Sequence, residues 1–175
     1  MAERLLLVDG YNVLGAWGEA TRGMPIADAR DMLIDMLRDY AGYSGQRVVL
    51  VFDAWQTGRG ARTSEQYGAL EVVYTKRGET ADHYIERLCD EHRRAVELGR
   101  LELRVATSDG VEQTLALGRG AVRLSAREMI LEIGQARDRG RRQTGRSVPT
   151  RGATVMDRLP EHTRQALEKM RRGEK

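Results

Sequence analysis

The succession of apolar and polar positions divides the chain into short buried strands and amphipathic helices. Arg4 to Val8 is an almost unbroken apolar run closed by Asp9-Gly10, the pattern of a strand covered on both faces. From Asp28 to Tyr43, Ala29, Met32, Leu33, Met36, Leu37 and Tyr40 recur at helical spacing. Arg30, Asp31, Asp35, Arg38 and Asp39 take the opposite face, and Gly42, Ser44 and Gly45 end the helix. Arg47 to Phe52 is a second buried strand, ended by Asp53. Residues 54–69 contain Gly58, Gly60 and Gly68 and no apolar period, so they read as a long loop.

A third strand is predicted at Glu71 to Thr75 and a fourth at Leu101 to Ala106. Between them Thr80 can cap a helix running to about Leu98, with Ala81, Tyr84, Ile85, Leu88, Cys89 and Val96 facing inward. A short helix over residues 110–117, a brief strand at Ala121 to Leu124 and a helix from Ser125 to about Ala136 complete the periodic region. Periodicity is then lost through residue 156, and a last helix is predicted from Pro160 to Arg172. Strands alternating with helices in this order imply an α/β fold with a mostly parallel sheet covered by helices.

Composition narrows the class. A chain of 175 residues with 41% hydrophobic and 31% charged residues suits one folded domain and excludes wholesale disorder. No apolar run has the length of a membrane span or of a secretory leader, and the single cysteine, Cys89, cannot form an internal disulfide. The expectation is a cytoplasmic protein. Its net charge of +3 hides an asymmetry. From Arg137 onward there are 12 Lys and Arg against 5 Asp and Glu, a net of +7; residues 1–136 carry 17 against 21, a net of −4. The chain therefore divides into a main domain, 1–136, and a basic carboxyl-terminal extension with a short helix, 137–175, suited to a polyanionic partner.

The candidate chemistry lies in the carboxylates. Asp9, Asp53 and Asp109 follow the first, second and fourth strands, and Asp82 opens the helix after the third, with Glu79 just ahead of it. In a parallel sheet these strand ends share one edge, where ligands bind. Carboxylates crowded into one cleft raise each other's pKa unless a cation neutralises them. Oxygen ligands suit Mg²⁺ or Mn²⁺, and no Cys/His spacing for zinc is present. Such a cation can activate water for attack on a phosphodiester.

Each residue also has a plainer reading. Asp82 can complement the helix dipole, and Asn12 can stabilise the turn after Asp9-Gly10. His83 reads as a surface residue and Cys89 as a small core residue. Trp55, Arg59 and Arg62 can stack a base and hold phosphate beside the cleft, as can Lys76 and Arg77 ahead of Glu79; a solvated loop and turn are the alternatives. There is no complete G-x-G-x-x-G, no Walker A motif and no G-x-S-x-G elbow, so dinucleotide, ATP and serine-hydrolase chemistry lose ground.

The segments LLLVDGYNVLGAW (5–17), VVLVFDA (48–54), VVYTKRGETADHYIER (72–87) and VATSDGVEQ (105–113) together resemble the YacP-like branch of the NYN domain family, relatives of the PIN-domain nucleases. GAVRLSARE (120–128) and RLPEHTRQALEKMRRG (158–173) extend the resemblance almost end to end. It implies a PIN-like, three-layer α/β/α fold and a metal-dependent endoribonuclease. By position it implies that Asp9, Asp53, Asp82 and Asp109 form the acidic cluster, with Asp9, Asp82 and Asp109 on the metal and Asn12 and Glu79 accompanying them. It further implies cleavage of messenger RNA on the ribosome. An RNA- or ribosome-binding protein with an idle acidic site is the alternative, and a DNA-directed nuclease of the same fold a third reading.

Overall fold

The computed structural model describes residues 1–54, 60–110, 118, 120–144 and 161–172. A six-stranded sheet forms its middle layer: β1 (Glu3–Asp9), β2 (Arg47–Phe52), β3 (Thr63–Tyr67), β4 (Leu70–Tyr74), β5 (Leu101–Ala106) and β6 (Val122–Leu124). Their spatial order is β3-β4-β2-β1-β5-β6, with only β3 antiparallel to its neighbour. The connecting helices are α1 (Gly10–Ala16), α2 (Gly18–Thr21), α3 (Ile26–Ser44), α4 (Ala81–Glu97), α5 (Ala126–Thr144) and α6 (Glu161–Arg172).

The continuous apolar runs are explained by the two faces of the sheet. Successive strand residues point to opposite sides, so a central parallel strand must be apolar at every position. Leu6, Val8, Val48, Leu50 and Phe52 enter a core with Val13, Trp17, Leu33, Leu37 and Ile130 from the helices on one side. Leu5, Leu7, Val49, Val51 and Val105 meet Ala81, Ile85 and Cys89 of α4 on the other. Helices on both sides of the sheet give the expected three layers, with Cys89 as a core residue.

Three local expectations are corrected. Residues 54–69 are not wholly a loop: Thr63–Tyr67 pairs as an edge strand with β4 around a tight turn at Gly68. Its half-buried, polar sequence TSEQY carries no apolar run, and the ladder with β4 supplies its order. Second, α1 and α2 follow β1 directly, in a segment left unassigned by its pattern. Third, α5 does not stop near Ala136 but continues to Thr144. Ala136 is buried, and Gly140 lies beside Tyr43, where an added Cβ would make ordinary contact with the ring at 3.4 Å. The helix predicted over residues 110–117 lies outside the described residues. Helix α6 packs on α2 and α5, placing Leu167 in the core.

Candidate active site

Strand register brings the carboxylates together. Asp9 pairs with Val51, which leaves Asp53 two residues beyond on the adjacent strand. Val8 pairs with Ala106, so Asp109 follows three residues past the end of β5 on the same edge. On the other flank Phe52 pairs with Tyr74, setting Thr75 beside the end of β2. The Thr75 hydroxyl accepts a hydrogen bond from Ala54 N–H (2.9 Å) and donates to the Glu79 carbonyl (2.8 Å). That bridge fixes the turn entering α4, whose Thr80 hydroxyl caps the helix by accepting from His83 N–H at 3.2 Å. Asp82 therefore occupies the first turn of α4. His83 is exposed there, as its sequence position suggested.

Asp9 is the centre of this arrangement. It is buried, 8% exposed, and caps α1 by accepting from Asn12 N–H at 3.2 Å. Its carboxyl pKa is raised to about 6, chiefly by burial and against an opposing backbone hydrogen bond from Asn12, with the charges of Asp82 and Asp53 and a side-chain hydrogen bond with Asp82 contributing the rest. Asp53 is raised as well, first by burial, partly offset by Ala81 N–H, with the Asp82 charge adding to it. Three carboxylates of the predicted cluster thus share one field. Asp109 lies exposed on the same edge, its N–H donating to Thr107 Oγ1 at 3.1 Å.

The sharp entry from β1 into α1 depends on Gly10. A Cβ there would lie 2.4 Å from the Phe52 ring, which is itself held between Tyr11 and Tyr74. Asn12 stabilises the turn after Asp9-Gly10 through its backbone N–H, and its side chain has a second task. Its Oδ1 accepts from Ser108 N–H at 2.6 Å, and Ser108 Oγ accepts from Ala126 N–H at the start of α5 (3.1 Å). Asn12 therefore secures the segment that carries Asp109.

Glu79 is occupied by arginines. Arg62 binds it through two N–H groups (2.6 and 3.1 Å), Arg87 through one (2.8 Å), and Lys76 N–H donates at 3.3 Å. Burial alone would raise the Glu79 pKa, but these donors outweigh it and hold the pKa below the usual value. Lys76 and Arg77 are exposed in the turn leading to Glu79, whereas Trp55 and Arg59 lie outside the described residues. Sequence reasoning missed Arg87, Tyr84 and Ser108 as parts of the site. The only signal for Arg87 was an arginine two turns into the helix that Glu79 precedes.

The donor set fits a hard divalent cation. Among the described residues no three His, Cys, Asp or Glu side chains are already disposed as a metal cage. Mg²⁺ does not need one, since it commonly takes one or two carboxylates and completes its shell with water and phosphate oxygens. Asp9 and Asp82, close enough to share a hydrogen bond, supply such a pair.

A mostly parallel sheet between helix layers, with aspartates gathered at its carboxyl edge, defines a PIN-like α/β protein, and solved structures match it. A crystal structure of Rae1 (YacP) from Bacillus subtilis superposes with a TM-score of 0.63 at 35% identity, covering 97% of this chain and 95% of that one. A structure of a point mutant of the same protein gives 0.64 at 33% identity, over 94% and 98%. In sequence the chain is 37% identical to YacP of Bacillus subtilis strain 168 over 172 residues, 97% of this chain and 98% of that protein. The family model of the YacP-like NYN domain matches residues 6–172, and the chain belongs to that family of nuclease domains.

Proposed function

We propose that the chain is a cytoplasmic, metal-dependent endoribonuclease that cleaves messenger RNA on translating ribosomes. The observation that carries the catalytic part is the buried Asp9, raised to about 6 in the company of Asp82 and Asp53. Asp9 and Asp53 also accept backbone N–H groups, but capping does not call for a third carboxylate in the same field, and their mutual repulsion works against the fold.

In this reading Asp9 and Asp82 hold Mg²⁺ or Mn²⁺, with Asp109 completing the set from the segment that Asn12 secures. The cation, when bound, supplies Lewis-acid activation of water and offsets charge developing on the phosphodiester. Asp53 binds the start of α4 and so fixes Asp82 relative to Asp9. Glu79 anchors arginines rather than meeting the reacting atoms. Arg62, Lys76 and Arg77 flank the edge as RNA contacts, and Trp55 and Arg59 take the same role on the sequence reading alone. The motif resemblance and the basic segment 137–175 support the ribosome as partner. No described helix is long and apolar enough to cross a membrane.

The test is cleavage of one messenger RNA, naked and on translating ribosomes, with Mg²⁺ or Mn²⁺, for wild type and Asp82→Asn. Cuts confined to ribosomes and lost in the variant are expected. Cuts on naked RNA would keep the nuclease and remove the ribosome requirement. Ribosome binding with no metal-dependent cut would establish the binding-protein alternative, and preferential competition by DNA would establish a DNA-directed enzyme.

A further inference from the structure

The cluster around Glu79 contains more positive charge than one carboxylate calls for. Arg62 already engages both Glu79 oxygens, a geometry that satisfies the carboxylate by itself. Arg87 nevertheless joins it, and the exposed Lys76 and Arg77 stand in the turn alongside. The guanidinium carbons of Arg62 and Arg87 lie over the same Tyr84 ring, at 5.0 and 5.1 Å from its centroid. Stacking and a shared carboxylate thus fix two forked donors side by side. Neither is sequestered, since their side chains are 35% and 43% exposed. A competitor is Glu91, an exposed carboxylate 4.0 Å from Arg87 Nε.

This pair is coupled rigidly to the acidic edge. The Glu79 carbonyl accepts from Thr75, and Thr75 accepts from Ala54 N–H, the residue after Asp53. A nucleic-acid strand laid across Asp9, Asp53 and Asp82 meets repulsion at every phosphate there, so its affinity must come from cations beside the edge. Guanidinium groups whose other edge is already held by Glu79 present their remaining N–H donors in advance and lose little freedom on binding phosphate.

We propose that Arg62 and Arg87, ordered by Glu79 and Tyr84, form a phosphate subsite that grips the backbone of a single RNA strand beside the acidic edge. The ligand is a phosphodiester, read by charge and geometry without regard to base. The proposal rests on the ribonuclease reading for its choice of strand. Its test therefore measures binding in EDTA, where cleavage does not intervene.

The probe is a short, unstructured, fluorescently labelled RNA titrated with the full chain over a salt series. Arg87→Gln is expected to weaken binding on the order of tenfold. It should also lower the slope of log affinity against log salt by about 0.7, one phosphate contact on a single strand. Arg62→Gln with Arg87→Gln should lower it by about 1.4. Glu91→Gln, which removes the competing carboxylate from an exposed site, should tighten binding about twofold. Unchanged affinity and slope in a folded Arg87→Gln protein would overturn the subsite. If that variant does not fold, Glu91→Gln decides, and no gain there overturns it. A lost contact in Arg87→Gln, alongside a wild type that never cuts RNA, would uphold the subsite and remove the nuclease reading instead.

Discussion

Replacing Asp9 with asparagine should stabilise the fold while destroying the site. Asparagine is nearly isosteric, its Oδ1 can still accept from Asn12 N–H to cap α1, and its Nδ2 can donate to Asp82. What disappears is a buried charge. The carboxyl titrates near 6 in the folded protein against an ordinary 3.8, a gap worth about 3 kcal/mol at neutral pH. Because the folded value is the higher one, ionisation of Asp9 opposes folding. The penalty is complete above pH about 6, shrinks as pH falls, and is down to a few tenths of a kcal/mol near pH 4. Asp9→Asn should therefore raise Tm by roughly 5–10 °C at neutral pH in EDTA and by almost nothing near pH 4. Urea or thermal unfolding followed by circular dichroism at both pH values measures it. Mg²⁺ or Mn²⁺ should stabilise the wild type and leave the variant unmoved. A variant no more stable than wild type at neutral pH, or one equally favoured near pH 4, would refute the account of Asp9 as a strained, cation-seeking carboxylate.

Other consequences follow from the same contacts. Gly10→Ala forces a methyl group into the Phe52 ring, which has Tyr11 and Tyr74 against it, and should destabilise by about 2–3 kcal/mol in urea unfolding. Arg104 binds Glu132 through two N–H groups (2.6 and 3.1 Å), and Glu132 also accepts from Tyr40 Oη (3.0 Å), so Arg104→Gln should cost about 2 kcal/mol by leaving that carboxylate underpaired. Burial would raise the Glu132 pKa, but Arg104 and Tyr40 hold it below the usual value, so its contribution is present above the ordinary glutamate range and lost as pH falls through the folded value. Acid titration of stability should show that loss in wild type and not in Arg104→Gln. Ser125 and Glu128 cap α5 reciprocally (3.1 and 2.7 Å), and Ser125→Ala should cost about 1 kcal/mol in the same assay.

The chain's local pattern determined much of this molecule. Unbroken apolar runs closed by aspartate identify β1 and β2, because a central parallel strand is buried on both faces and must end where the chain turns to solvent. The stripe from Ala29 to Tyr40 identifies α3, and Thr80 and Ser125 mark the starts of α4 and α5 through their caps. The same strand ends point to Asp9, Asp53, Asp82 and Asp109 as neighbours, since parallel topology leaves them one edge to share.

Only the tertiary structure decided the rest. The sequence TSEQY becomes a strand because β4 offers an unpaired edge, and α5 runs on through its buried Ala136 to Thr144 although no apolar stripe continues there. Asn12 acquires its partner from a residue 96 positions away, and Glu79, placed by its motif beside the acidic cluster, meets Arg62 and Arg87. Hydrophobic periodicity records which side of an element is buried. It carries no information about which distant polar group will meet a given carboxylate, because hydrogen-bond partners are set by register and packing across the fold.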